Sequence, residues 1–402
     1  MQIRQLTLQH VRVFKQATFD FQSGMNLIVG INGAGKSTIL DVLRIVLSNV
    51  LPMLTVSPED QIPFEQADIT AGQNELACEL KFTTTDVPFE GSVEKTDRHK
   101  AKYELKPNNE NILYDCRNAP EQPLAVYFST RRSFPQNLPL SKQKSEGVQI
   151  SAFADSLIHR ELRLVELAEW WLAQEQLAHK DNQVLAQQHL ETLQNAVTDF
   201  LETCSHVQVT RKPKPTLLLD KDGSTLDVRQ LSDGERGVLA IVIDLAKRLS
   251  QANPKLKNPL KEGKAVVLID ELDLHLHPGW QRTIVDNLTR TFPSCQFIAT
   301  THSPQIVGEV APENILLIKD GKIFRPNQSL GMDTNWILRY LMGVEERDTE
   351  TLQQLKIIEN LIEDEEYDEA TVAIDALRSK LGEFPYLVRL QTRIDRILLL
   401  GE

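Results

Sequence analysis

Eight residues, Gly30-Ile-Asn-Gly-Ala-Gly-Lys-Ser37, constrain this chain more than any others. The apolar run Met25 to Val29 leads into them. Behind them, Ser37 to Asn49 carries Ile39, Leu40, Val42, Leu43, Val46 and Leu47 at helical spacing. A glycine-rich turn between a strand and a helix matches the phosphate-loop pattern at every fixed position. Backbone N–H groups of Gly33, Ala34 and Gly35 can face a phosphate only where side chains stay clear. The helix beginning near Lys36 adds its positive dipole end. On this reading Gly30, Asn32, Gly33, Ala34, Gly35, Lys36, Ser37 and Thr38 line a nucleotide site. Lys36 then serves the β- and γ-phosphates, and Ser37 ligates Mg²⁺. A chance glycine turn is the bland alternative, and the flanking strand and helix weigh against it.

A second stretch, Ala265-Val-Val-Leu-Ile-Asp270-Glu271, reads as a buried strand ending in two carboxylates. Burying charge is costly, and a cation supplies the reason. Asp270 would hold Mg²⁺ through water, and Glu271 would polarise the water that attacks the γ-phosphate. A third, Leu231-Ser-Asp-Gly-Glu235, precedes a helical pattern. Ser232 and the N–H groups around Gly234 would form a helix N-terminus suited to a phosphate, although the same residues are good plain capping chemistry. A fourth, Gln296-Phe-Ile-Ala-Thr-Thr-His302-Ser-Pro304, delivers one histidine to a sheet's C-terminal edge, where open α/β sheets bind ligands. Between them runs Leu272-Asp273-Leu-His275-Leu-His277-Pro278. His275 and His277 lack a third partner for a metal site and read as structural.

Strand and helix alternate around these motifs, which implies an α/β fold with a mainly parallel sheet covered on both faces. Leu76 to Phe82 and Ser92 to Leu105 read as antiparallel strands, and Val207 to Leu226 as a hairpin turning at Asp222 and Gly223. The segment from Ile150 to His206 turns helical, with Trp170 and Trp171 side by side and no sustained heptad. Four regions follow: an ATPase lobe at 1–134, a helical arm insertion at 135–206, a second lobe at 207–330, and a helical C-terminal region at 331–402. Tyr367 to Leu390 in that last region reads as one helical hairpin. From Arg339 onward there are 15 Asp or Glu against 8 Lys or Arg, over half of the chain's net charge of −12. So acidic a chain does not hold DNA by bulk attraction. The local basic clusters are Arg131 and Arg132, Arg211 to Lys214, and Lys255 to Lys264, and all but the first read as solvated loops. Cys78, Cys116, Cys204 and Cys295 form no Cys-x-x-Cys pair and read as thiols of a reducing compartment. No apolar stretch reads as long enough for a bilayer and no signal peptide is evident, so the expected location is cytoplasmic, away from any membrane.

The motif order from Gly30 to His302 resembles ATPases of the ABC type, with a P-loop head, an antiparallel β subdomain, a short helical arm and a helical tail. Leu231 to Glu235 is similar to the signature LSGGQ, with Asp233 and Glu235 as departures. The resemblance implies that two copies join head to tail, as a dimer or a higher oligomer. Ser232 and Gly234 would then contact ATP held by the other copy. His302 would be the switch histidine at the γ-phosphate, with Lys36 and Glu271 as its partners in catalysis, and Asp273 would lie in the loop that crosses between copies. Gln136 is either the Q-loop glutamine or linker, and Arg131 and Arg132 lie near nucleotide and arm. The signature variant is similar to the SMC-like and RecF-like branch, and the Leu-His-Pro ending to the branch that includes the OLD-type proteins and related defence ATPases. The compact head, short arm and acidic tail resemble the PtuA family of ATPases from Septu antiphage systems. That likeness implies a separate HNH nuclease as partner, with DNA reached through it. A RecF-like repair ATPase and an ATP-sensing scaffold with little turnover are the competing readings.

Overall fold

The structure is a computed structural model that describes the chain apart from residues 58–60, 85–86, 131–148, 159–163, 181–182, 202, 212–213, 320, 346 and 401–402. Strands β1 (Gln2–Val11), β2 (Phe14–Asp20) and β3 (Met25–Gly30) lead to helix α1 (Lys36–Leu54). Then come β4 (Glu75–Thr84), β5 (Val87–Thr96), β6 (Lys102–Lys106), α2 (Glu110–Asn118) and β7 (Leu124–Phe128). Helices α3 (Leu164–Lys180) and α4 (Val184–Phe200) precede β8 (Cys204–Thr210), β9 (Thr216–Lys221) and β10 (Ser224–Asp227). The sequence continues through α5 (Asp233–Ala252), α6 (Pro259–Glu262), β11 (Ala265–Ile269), α7 (Pro278–Thr291) and β12 (Gln296–Thr301). After α8 (Pro304–Val307) come β13 (Ile315–Lys319), β14 (Lys322–Phe324) and α9 (Thr334–Trp336). Helices α10 (Thr349–Glu363), α11 (Tyr367–Leu381) and α12 (Pro385–Leu400) follow. The chain divides into two compact units, Met1–Ile337 and Leu338–Glu402.

The first unit is an α/β fold built on a six-stranded sheet in the order β14-β13-β3-β12-β11-β7. Its strands are parallel except β14, which runs antiparallel to β13. A second sheet, β2-β1-β4-β5-β6, is antiparallel throughout. Helix α1 lies between the two. One core joins its apolar residues to Leu6, Leu8, Leu80 and Val93 of the antiparallel sheet and to Ile28, Val266, Leu268 and Ile298 of the parallel one. Burial on two sides explains a helix that is apolar nearly all round. By length and composition alone α1 would cross a membrane, with a mean hydropathy of 1.5, which corrects the expectation that no stretch reaches that mark. In the fold 78% of that window is buried. The alternate residues Leu27, Val29, Val267, Ile269 and Ala299 face the other side of the sheet and are equally buried, so both faces are covered.

Two sequence readings merged separate strands. The stretch Ser92 to Leu105 is the end of β5, a turn and β6, and the residue preferences of the polar turn at 97–101 gave little warning of it. The 207–226 stretch does reverse at Asp222 and Gly223, both at positive φ (49° and 78°). A second reversal after Thr210 makes it part of a three-stranded sheet, β10-β9-β8. Helices α3 and α4 pack on α5, and α4 also meets α7. Trp170 and Trp171 are buried there, with the Lys247 ammonium 5.3 Å from the Trp170 ring centre. The described part of this insertion therefore lies against the signature-bearing helix.

The second unit, by itself, is three consecutive helices around Leu355, Ile358, Ile374, Leu377, Leu387 and Ile394. The expected hairpin is α11 and α12, reversing after Gly382 at φ 82°, and α10 packs on α11 as a third member. The Arg347 guanidinium stacks 4.4 Å from the Phe384 ring centre and 5.5 Å from that of Tyr386.

One buried side chain ties the parallel sheet to the antiparallel one. Gln296 accepts from the Ile3 N–H at 2.7 Å and donates to the Ile3 carbonyl at 2.8 Å and the Gln22 carbonyl at 2.7 Å. Removing one side of such a bond leaves buried backbone groups unsatisfied, at about 1–3 kcal/mol each. Gln296→Leu should therefore lower stability by about 2–4 kcal/mol, read as a fall in urea midpoint at unchanged slope. An unchanged midpoint would show that the tie contributes nothing.

Candidate functional site

The phosphate loop bridges the end of β3 and the start of α1. Gly33 and Gly35 sit at φ 79° and 100°, a region closed to most side chains. A Cβ on Gly35 would also lie 2.7 Å from the Phe14 ring and Val13, and one on Gly30 would lie 2.8 Å from the Ile318 carbonyl oxygen. No side chain caps α1, whose capping residue is Gly35 itself, so its first N–H groups are left for an anion. Lys36 folds back over the loop and donates from Nζ to the carbonyls of Gly30 at 2.9 Å and Ile31 at 3.0 Å. Burial lowers its pKa, while Asp270, Glu271 and Asp273 pull the other way. Asn32 and Gly33 are exposed, Ala34 is half-buried, and Thr38 is buried in the first turn.

The parallel register brings the other motifs to the same edge. Thr300 pairs with Ile28 and Thr301 with Val29, while Ala299 pairs with Ile269. Asp270 thus emerges from β11 facing the loop. The Ser37 hydroxyl donates to Asp270 Oδ1 at 3.2 Å, and the Thr300 hydroxyl donates to the same oxygen at 2.7 Å. Hard oxygens from a hydroxyl and a carboxylate at the mouth of a phosphate cradle fit Mg²⁺. Glu271 is held in the left-handed region at φ 50°, a conformation that costs an ordinary residue about 1–2 kcal/mol. Its N–H donates to Thr300 Oγ1 at 2.7 Å. Asp273 accepts from the Thr301 hydroxyl at 2.6 Å and from the His302 N–H at 3.1 Å. The structure thus gathers Lys36, Ser37, Asp270 and Glu271 into one constellation, with Asp273 and His302 joined to each other beside it.

The signature lies at the N-terminus of α5. Ser232 is exposed and caps the helix in a reciprocal box with Glu235. Its N–H and hydroxyl donate to Glu235 Oε2 at 3.0 and 2.9 Å, and Lys221 holds Oε1 at 2.7 Å. Burial works to raise the Glu235 pKa, but the bonds from Lys221 and Ser232 outweigh it and hold the carboxyl below its ordinary value. The plain capping chemistry is therefore present, and Ser232 stays exposed at the helix end. Gly234 packs on the loop after β11, where a Cβ would stand 2.3 Å from the His275 carbonyl oxygen. His277 caps α7 by accepting from the Gly279 N–H at 3.2 Å. Arg131, Arg132 and Gln136 lie outside the described residues. Thr300, Thr301 and Lys221 were missed in the sequence. Two hydroxyls closing an otherwise apolar strand were the available signal, since buried polar groups need partners. Lys221 had none.

Fold and motif geometry together define an ATPase of the ABC type. The chain belongs to the family described as "AAA domain, putative AbiEii toxin, Type IV TA system", matched over residues 25–308. It is 28% identical to the retron Ec83 probable ATPase of Escherichia coli, over 91% of this chain and 81% of that protein. It is 24% identical to the Septu protein PtuA of Bacillus thuringiensis, over 86% of this chain and 85% of that one. In fold it is similar to an SMC head bound to the C-winged helix domain of ScpA, with a TM-score of 0.51 and 15% identity over 82% of this chain and 99% of that chain.

Gly234→Ala should push α5 off the His275 backbone and cost about 1–3 kcal/mol, as overpacking does. A thermal melt checks this, and an unshifted transition would mean the contact relaxes freely.

Proposed function

We propose that the chain hydrolyses ATP·Mg²⁺ in a composite site made by two copies head to tail, and that the cycle controls a partner effector. The carrying observation is the shared Asp270 carboxylate, which takes the hydroxyls of Ser37 and Thr300 while Glu271 is fixed next to it. Ser37 and Asp270 are the residues that would hold Mg²⁺, which supplies charge neutralisation at the β- and γ-phosphates. Lys36 exchanges the Gly30 and Ile31 carbonyls for phosphate oxygens. Glu271 orients and polarises the attacking water, and His302 contacts the γ-phosphate. Ser232 and Gly234 belong to the other half of the site. The exposure of Ser232 at a helix N-terminus supports a role toward a neighbouring molecule beside its capping of α5. Asp273, tied to both Thr301 and His302, is the residue through which the second copy would feel the γ-phosphate.

The likeness to a Septu protein supports a partner effector in an antiphage complex, here an HNH nuclease that reaches DNA on the ATPase's behalf. The retron relatives support the same ATPase body serving a different assembly, so purification with neighbouring gene products decides the effector.

Glu271→Gln should keep nucleotide binding, lower turnover by about 10²–10⁴-fold and accumulate an ATP-dependent dimer. Phosphate release and light scattering after size exclusion measure both. Turnover at the unsubstituted rate, or a monomer in saturating ATP, contradicts the composite site.

A further inference from the structure

Thr300 lies inside the strand that delivers His302 and meets the Asp270–Glu271 pair at the end of the neighbouring strand. Its side chain is fully buried at the end of β12. A hydroxyl has one proton, and here the direction of each bond is fixed by its partners. The Glu271 backbone can only donate, so Thr300 Oγ1 accepts from it at 2.7 Å. The hydroxyl proton therefore goes to the Asp270 carboxylate, also at 2.7 Å. One oxygen atom thus fixes the orientation of the carboxylate that faces Ser37 and the backbone of the residue after it. That second residue is Glu271, held at φ 50° where an unbranched side chain gains nothing from the conformation. The strand beneath is paired on both edges. β12 is flanked on both sides by parallel partners, β3 and β11, paired up to Thr301 and Ala299.

We propose that Thr300 is the positioning residue of the ATPase site, aligning the cation-facing carboxylate of Asp270 and the water-facing Glu271 through a single hydroxyl. The proposal rests on the site reading given above. Thr300 is fully buried, and it acts through its two neighbours. Groups that orient a ligand-bearing side chain typically matter by 10–100-fold in metal affinity or activity. Loss of the hydroxyl removes one bond that orients the Asp270 carboxylate and one that holds the Glu271 backbone, while the phosphate cradle from Gly30 to Lys36 is built by other atoms. Turnover and magnesium dependence should therefore move, and nucleotide affinity in the presence of EDTA should not.

The test compares Thr300→Val, which keeps the shape without the hydroxyl, with Thr300→Ser, which keeps the hydroxyl. The full-length protein is used, with Glu271→Gln measured alongside. For Thr300→Val the expected result is a fall in kcat of about 10–100-fold and a raised half-saturating Mg²⁺ concentration. ATP binding in EDTA, read with a fluorescent analogue, stays within about threefold. Thr300→Ser recovers most of the turnover. Should the valine chain fail to fold, Thr300→Ala carries the same expectation. Full turnover and unchanged Mg²⁺ dependence without the hydroxyl, alongside an inactive Glu271→Gln, overturns the positioning role alone. Full turnover in both overturns the site reading and this role with it.

Discussion

The Asp270 carboxylate receives hydroxyls from Ser37, at the start of α1, and from Thr300, at the end of β12. Those residues lie 233 and 30 positions away in sequence, so only the sheet brings them together. A parallel arrangement is what makes this inexpensive. Strands that run the same way all end at the same edge, and their following loops converge there. The register Thr300 to Ile28 and Ala299 to Ile269 sets the levels. A slip of one residue would turn Thr300 away from Asp270 and place Thr301 there instead. The dry cores on both faces of the sheet lock that register. The large interior around α1 thus serves the site directly, since it fixes the heights at which four chain segments emerge.

The placement of each motif was legible in the sequence because each is continuous and its residue types have few other uses. Gly33 and Gly35 adopt the positive φ that a phosphate cradle demands. The carboxylates after Ile269 emerge at the edge of the sheet, and α5 begins at Asp233 with Ser232 as its cap, as the capping residues imply. The gaps have physical causes. Bonds between motifs, such as Thr300 to Asp270, depend on register, and register across a crossover leaves no local mark. The turn at 97–101 is polar without a distinctive pair of residues, so β5 and β6 read as one strand. Helix α1 misleads in the opposite direction. Its apolar periphery reads as a helix with one buried stripe, yet two sheets cover it. Nor does the helical insertion announce its neighbours. Trp170 beside the His189 ring, 6.0 Å between centroids, and His189 bonded to Ser250 of α5 at 3.0 Å are matters of tertiary packing alone.

The signature end of α5 shows how one helix terminus can serve as both cap and anion site. Ser232 gives its N–H and its hydroxyl to the Glu235 carboxylate, so a negative group already occupies the positive end of the helix. In a composite site a γ-phosphate from a second copy would approach the same hydroxyl. It would compete with Glu235 for one proton rather than fill an empty position. A neutral glutamine at 235 would yield more readily, because it brings no repulsion against phosphate. Glutamate adds that repulsion, and Lys221 at 2.7 Å offsets it by holding the other carboxylate oxygen. Charge at this corner is balanced by a strand residue outside the motif. The departure from the commoner LSGGQ form is therefore intelligible as a pair, Glu235 with Lys221, and neither residue explains the corner without the other.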